Sequence, residues 1–170
     1  MPSYTADETA RIVEALKVLG TKGFPVPPEI FDAWCGACIT TPTELAVLRR
    51  SEKREPLVLM IHRKDKFFHG WHIPGTIMLP GDTEEGALAR LVEKEVGSPL
   101  PPPMFVDRVH APKGTPRGQA AALLFVTFFP DGTPVEDRSF FPLFAPPEDT
   151  LPHHKKLLAR VAEWWRERYR

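Results

Sequence analysis

Between Thr76 and Gly97 the chain sets out acids and bases at spacings suited to either metal or phosphate chemistry: Asp82, Glu84, Glu85, Arg90, Glu93, Lys94 and Glu95. A divalent cation such as Mg²⁺ needs several convergent oxygen ligands. A helix offers them from positions i, i+3 and i+4, which share one face. The spacing predicts a helix over 83–96, with Asp82 as N-cap, Glu85 three residues on to answer it and Gly97 as the stop. On that helix Glu93 points about 200° away from position 91. Glu84 and Glu95 share a face but lie roughly 16 Å apart along the axis. No trio of acids converges on this helix. Lys94 carries the opposite charge, and an ammonium binds phosphate as a point charge without generating hydroxide.

Other constellations are weaker. The segment RKDKFFHG, with Arg63, Lys64, Lys66 and His69, leads to His72 and suits a phosphate or carboxylate partner; its plainer reading is a solvated loop. Lys113 and Arg117, before a later strand, form a second candidate contact, and His153-His154 read as an exposed pair. Phe67, Phe68, Phe140 and Phe141 suit base stacking or core packing equally. Trp34-Cys35-Gly36-Ala37-Cys38 has CxxC spacing, but Ile39 to Pro42 follow it and do not continue a helix. Buried small hydrophobes are therefore the better reading of Cys35 and Cys38 than redox thiols. His69 and His72 are three apart, without the further ligands a zinc site requires.

The elements that position these residues follow from periodicity. Thr5 and Glu8 form a capping-box pattern for a helix over 5–19, with Ile12, Ala15, Leu16 and Leu19 on one side and Gly20 as the stop. A helical turn is expected over 29–34. Two apolar runs, 44–49 and 57–62, flank the charged turn SEKREP and predict a hairpin. Shorter strands are expected at 71–73 and 139–144, and longer ones at 104–110 and 120–129. The residues 129–132 read as a turn. A last helix over 153–169 carries Leu157, Leu158, Val161, Trp164 and Trp165 on its buried side.

Lys plus Arg equals Asp plus Glu, 22 against 22, so no overall field draws this chain to nucleic acid polymer or anionic lipid. A phosphorylated ligand therefore needs a local basic cluster. No apolar run reaches the roughly 18 residues of a membrane span, and acids occupy the N-terminus where a signal peptide needs an apolar core. The expectation is a soluble, cytoplasmic protein with no membrane partner.

The stretch WHIPGTIMLPGDTEEGALARLVEKEVGS resembles the signature of the Nudix (MutT-like) hydrolase superfamily. Trp71, Pro74 and Gly75 match its lead-in, and Thr76 stands at the first Gly of the box. Asp82 takes the first Glu position, Arg90 is in place, and Gly97 closes the box. The next Glu has become Leu91, and the Glu-Glu pair has become Lys94-Glu95. The resemblance implies a Nudix-type α/β/α sandwich with a mixed sheet over about 38–166. It divides the chain into an N-terminal helical extension, 1–36, and a Nudix-like domain, 37–170. In the family three carboxylates on one helical face hold Mg or Mn on a diphosphate. Here that face carries Leu91, Lys94 and Glu95, so Glu95 is the residual catalytic carboxylate and a weak metal ligand. Leu91 also reads as part of the apolar stripe Leu88, Leu91, Val92, and Lys94 as a solvated residue near the helix end. Asp82 and Arg90 are implied as a structural brace. Arg63, Lys64, Lys94 and Thr76 are the candidate ligand contacts.

Three functional readings follow. The first is a nucleoside-diphosphate-type or other phosphorylated ligand bound with weak or no metal-dependent hydrolysis. The second is an active Mg/Mn-dependent pyrophosphohydrolase that recruits carboxylates outside the box, from Asp107, Glu136 or Glu148, and a carbonyl near Thr76. The third is a non-catalytic interaction module, with a terminal helix as the surface of a homodimer.

Overall fold

The computed structural model describes residues 3–51, 55–130 and 139–169, the side chains of 112–114 excepted. Helix α1, Ala6–Lys22, opens on the predicted capping box: Glu8 N donates to Thr5 Oγ1 at 3.2 Å and Thr5 N to Glu8 Oε2 at 2.8 Å. It runs past Gly20 and ends at Gly23, whose φ of 69° suits glycine. Its apolar stripe faces outward and none of its residues is buried. Helix α2, Pro28–Ala37, is a full helix where only a turn was predicted, with proline at its first position. Its end lies hard on the sheet. A Cβ at Gly118 would come within 2.2 Å of the Cys35 carbonyl oxygen.

Strands β1 (Pro42–Arg50) and β2 (Pro56–Lys64) form the predicted antiparallel pair. Strand β3, His69–His72, lies two residues earlier than expected and pairs with β2. The segment after it, read as a turn, contains a short strand, β4 (Gly75–Ile77), against the first residues of β1. Strands β5 (Met104–Thr115) and β6 (Gly118–Phe128) extend the hairpin into its Gly/Pro/basic tip, and β7 (Ser139–Pro142) pairs with β2. The sheet order is β3-β2-β1-β6-β5, and β1 runs parallel to β6 while the other pairs are antiparallel. The sheet is mixed, as expected. Of the predicted turn 129–132, the last two residues lie outside the described residues.

Alternation along β1 builds two cores. Ala46 and Leu48 pack with Leu157, Leu158, Val161, Trp164 and Trp165 of helix α4 (Pro152–Arg168). Leu45 and Val47 face the other way, onto Leu88 and Leu91 of helix α3 (Glu84–Leu91). Each fully buried leucine contributes about 2–3 kcal/mol by leaving water, so the sheet is clamped between α3 and α4. The architecture is an α/β/α sandwich. Among the described residues no helix is long and apolar enough to cross a membrane.

The predicted helix 83–96 is corrected in two respects. Its N-cap is Thr83, whose Oγ1 accepts from Gly86 N at 3.1 Å, and not Asp82. After Leu91 the α-helix passes into a single π-helical turn, Val92–Val96, closed by Gly97 at φ 65°. The wider turn changes the direction in which residues 94 and 95 leave the axis.

Candidate functional site

A cleft of about 1010 Å³ opens between the start of β1, the β2–β3 loop, the tip of the β5–β6 hairpin and the start of α4. On its floor is Glu44, which shares the α4 face of β1 with Ala46 and Leu48 and is 7% exposed. The carboxyl lies against the Cα of Gly75 on neighbouring β4, where a Cβ would come 2.3 Å from Glu44 Oε2. From the same residue, Gly75 N donates to Glu95 Oε2 at 3.0 Å. Gly75 is thus the spacer between two carboxyl groups, and Glu44 dictates its lack of a side chain. Burial, and after it the charge of Glu95, holds the Glu44 carboxyl well above the usual range, which favours its neutral form.

All six histidines of the chain line this cleft. His72 is buried, and its Nδ1–H donates to the Ile73 carbonyl at 2.7 Å, which fixes the tautomer. On α4, His153 and His154 stack near it, with ring centroids 4.4 Å apart from each other and His154 5.4 Å from His72. His154 is 4% exposed and His153 half-buried, which corrects the reading of an exposed pair: α4 enters the fold at the cleft floor and turns these two side chains inward. Burial first, and then neighbouring imidazoles and Arg63, lowers both; His153 is pushed down to about 4 and His154 is held well below its usual value. His154 Nδ1 stands 3.9 Å from Glu44 Oε2, and neither atom has a hydrogen-bond partner among the described residues. That separation is too long for a hydrogen bond, and with both groups driven to neutrality the contact is not an ion pair.

Cations ring the mouth. Arg63 donates through Nε to Asp65 at 2.5 Å and lies 4.6 Å above the Phe68 ring. Arg117 sits among Phe31, Phe67 and Phe68 at 5.5, 5.0 and 5.7 Å, with its Nε 3.5 Å from Asp32. Asp32 also takes Lys66, and α2 reaches the cleft through Phe31. Lys64, Lys94 and Lys156 line the cleft too, without a carboxylate partner among the described residues.

The candidate contacts Arg63, Lys64, Thr76, Lys94 and Glu95 are brought together here. Leu91 is not. It is 1% exposed and packs with Leu45, Val47 and Leu59 on the opposite side of the sheet. The expected common face of Leu91, Lys94 and Glu95 is therefore divided, because the leucine follows the core while the π-turn carries the next two residues to the cleft. Asp82 and Arg90 stand outside the cleft lining and form a bidentate brace: Arg90 Nη1 and Nη2 donate to Asp82 at 3.0 and 2.7 Å, and Nη2 also to the Ile77 carbonyl at 3.1 Å. Leu79 N completes the site on Asp82 at 2.8 Å. The Arg90 bond, helped by Leu79, holds the Asp82 carboxyl below its usual value. Asp107 is paired with Arg160 at 2.8 Å, away from the cleft, and Glu148 does not line it either. Glu136 and the Lys113 side chain lie outside the described residues. Cys35 is buried, Cys38 half-buried, both are free thiols, and burial raises both.

Glu44, Phe31, His110 and Lys156 were not singled out from the sequence. Only Glu44 left a signal: in TELAVL it shares the parity of Ala46 and Leu48, so alternation places a carboxyl on a core face.

The family model of the NUDIX domain matches residues 40–165. The chain belongs to the Nudix family. Its fold is similar to a mutT/nudix family protein from Listeria innocua, with a TM-score of 0.65 and 18% identity over 76% of this chain and 96% of that one. It is also similar to the NUDIX domain of Shewanella oneidensis NrtR, solved in complex with ADP ribose, with a TM-score of 0.60 and 15% identity over 82% and 93% of the two chains. A MutT NUDIX hydrolase from Burkholderia pseudomallei gives a TM-score of 0.57 at 19% identity, over 73% of this chain and 98% of that one. At these identities the likeness is one of fold. No curated protein matches the chain.

Nudix enzymes typically use Mg or Mn, and the donor set among the described residues does not fit such an ion. One expected ligand position is a core leucine and the next an ammonium. The remaining carboxylate, Glu95, has an oxygen engaged by Gly75 N. Among the described residues no group of three His, Cys, Asp or Glu is arranged to hold a metal.

Proposed function

We propose that this Nudix domain binds a nucleoside-diphosphate-type ligand, or another phosphorylated compound, with weak or no metal-dependent hydrolysis. The carrying observation is the charge of the cleft. Arg63, Lys64, Lys94, Arg117 and Lys156 line it, with Asp65 on Arg63, Asp32 on Arg117 and Glu95 as the opposing carboxylates and Glu44 held towards neutrality. Side chains of this kind neutralise a diphosphate directly, the task a divalent ion performs elsewhere in the family. Half-buried Phe67 offers flat apolar surface beside Arg117 for a planar base, with buried Phe68 packed behind it. The ADP ribose held by the NrtR domain is a ligand of this chemistry on a similar fold. Mg or Mn is expected to bind weakly, since a lone carboxylate beside an ammonium makes a poor site.

A thermal-shift panel of ADP, ADP-ribose, sugar nucleotides and inorganic pyrophosphate, run in chelator, tests the reading. A ligand present at a hundred times its Kd adds about 2.7 kcal/mol to stability. Lys94→Glu, which exchanges an attraction for a repulsion, should weaken the best ligand at least about tenfold. Silence across the panel would favour the interaction module. Turnover that needs Mg²⁺ and disappears in Glu95→Gln would favour the hydrolase.

A further inference from the structure

We infer that the α4 side of the cleft is an oxyanion subsite that takes up a proton together with its phosphate, so that an imidazolium serves where the family uses a divalent cation. This rests on the phosphorylated-ligand reading and specifies how that ligand's charge is balanced. Three features converge on the place. Glu44 Oε2 and His154 Nδ1 are buried in the cleft floor, 3.9 Å apart and each without a hydrogen-bond partner among the described residues. His72 and His153 flank His154 at ring distances of 5.4 and 4.4 Å. Helix α4 begins here with no side-chain cap on its first turn, and a helix N-terminus attracts anions.

The charged and titratable groups around His153 and His154 come from every packed element: Glu44 on β1, Arg63 on β2, His72 on β3, and Glu95 beyond His72 on the π-turn. Burial, Arg63 and the mutual proximity of the rings all disfavour the imidazolium. A phosphate oxyanion reverses the balance. An opposite charge within about 4–6 Å raises an imidazole pKa by about 1–3 units. Glu44, held in its neutral form, has an O–H to donate to the same oxyanion, as neutral buried carboxyls do in other sites. A group starting at about 4 and brought to roughly 6.5 takes up about 0.75 proton on binding at pH 6. Affinity then rises as pH falls, by about thirtyfold from pH 8 to pH 5.

ADP-ribose is the suitable probe, because its diphosphate is a diester without an ionisation of its own in this range. Calorimetric titration of the full chain at pH 6, in two non-phosphate buffers of unlike ionisation enthalpy, counts the protons. The expected result is uptake of about 0.75 proton, at least halved in His153→Gln or His154→Gln while ADP-ribose still binds. Adenosine, which lacks the phosphates, should bind without uptake. Binding of ADP-ribose with no proton taken up would overturn the inference and leave the nucleotide reading intact. Uptake unchanged in both histidine variants would also overturn it. Failure of ADP-ribose, ADP and pyrophosphate to bind from pH 5 to 8 would overturn both. The proton count on the unaltered chain decides the matter even if a variant fails to fold.

Discussion

Gly75→Ala is the most economical perturbation of the cleft floor. The new methyl would meet Glu44 Oε2 at 2.3 Å, Cδ at 2.8 Å and Oε1 at 3.0 Å, all well inside van der Waals contact. Glu44 is 7% exposed, so its carboxyl must be displaced within the packed cleft floor to make room. Overpacking of this kind costs about 1–3 kcal/mol. For a chain of this size each kcal/mol lowers Tm by about 2–4 °C, giving an expected fall of about 2–12 °C. The clash is with one side chain, so it should be non-additive with its removal. Thermal or urea denaturation of Gly75→Ala, Glu44→Ala and the double variant completes a cycle. Glu44→Ala should absorb most of the glycine penalty. If Gly75→Ala is harmless, or costs as much in the Glu44→Ala background as in the parent, the spacer role assigned to Gly75 is wrong.

Further outcomes are expected. Leu91→Glu, which puts an unpaired carboxylate into the α3 core, should cost about 3–5 kcal/mol by urea denaturation. Leu91→Met should cost less than about 1.5 kcal/mol. A well-folded Leu91→Glu variant that binds Mn²⁺ together with Lys94→Glu would show that position 91 faces the cleft after all. Asp82→Asn should loosen the brace on Arg90 by about 1 kcal/mol at pH 7. Because the Asp82 carboxyl is depressed, its contribution is complete above the unfolded value near 4 and fades as pH falls through the folded one, so the two proteins' melting curves should converge in acid. The lowered imidazoles make the unfolded chain the better proton binder between about 4 and 6.5, so stability should rise with pH across that window. Glu44 works in the opposite sense, its raised carboxyl costing stability as pH rises, and Glu44→Gln should gain on the parent towards pH 8. Melts across pH 4.5–8 that show no such slopes would contradict the buried, neutral cluster.

The frame of the domain was legible because it is written in local chemistry. Arg90 braces Asp82 eight residues back, and Gly97 stops the helix it ends. Apolar runs on either side of a charged turn likewise gave β1 and β2, and a 3.6-residue stripe gave α4. What escaped depends on contacts between distant segments. His153 and His154 open a helix with polar neighbours, so nothing local reveals that β1 and β3 cover them. Phe31 reaches the cleft only because α2 folds back onto the start of β6. The division of Leu91 from Lys94 and Glu95 turns on one π-helical turn, which helical periodicity at 100° per residue has no means of showing. The capping residue moved from Asp82 to Thr83 for a related reason: Asp82 is held by Arg90, a partner one helical face away.

The most direct measurement is the affinity of ADP-ribose determined twice on the same protein, once in EDTA and once in millimolar Mg²⁺, with product analysis after overnight incubation. Cation side chains alone should suffice, giving dissociation constants within about twofold of each other and intact ligand. Binding that appears only with Mg²⁺, accompanied by cleavage of the diphosphate, would contradict the account.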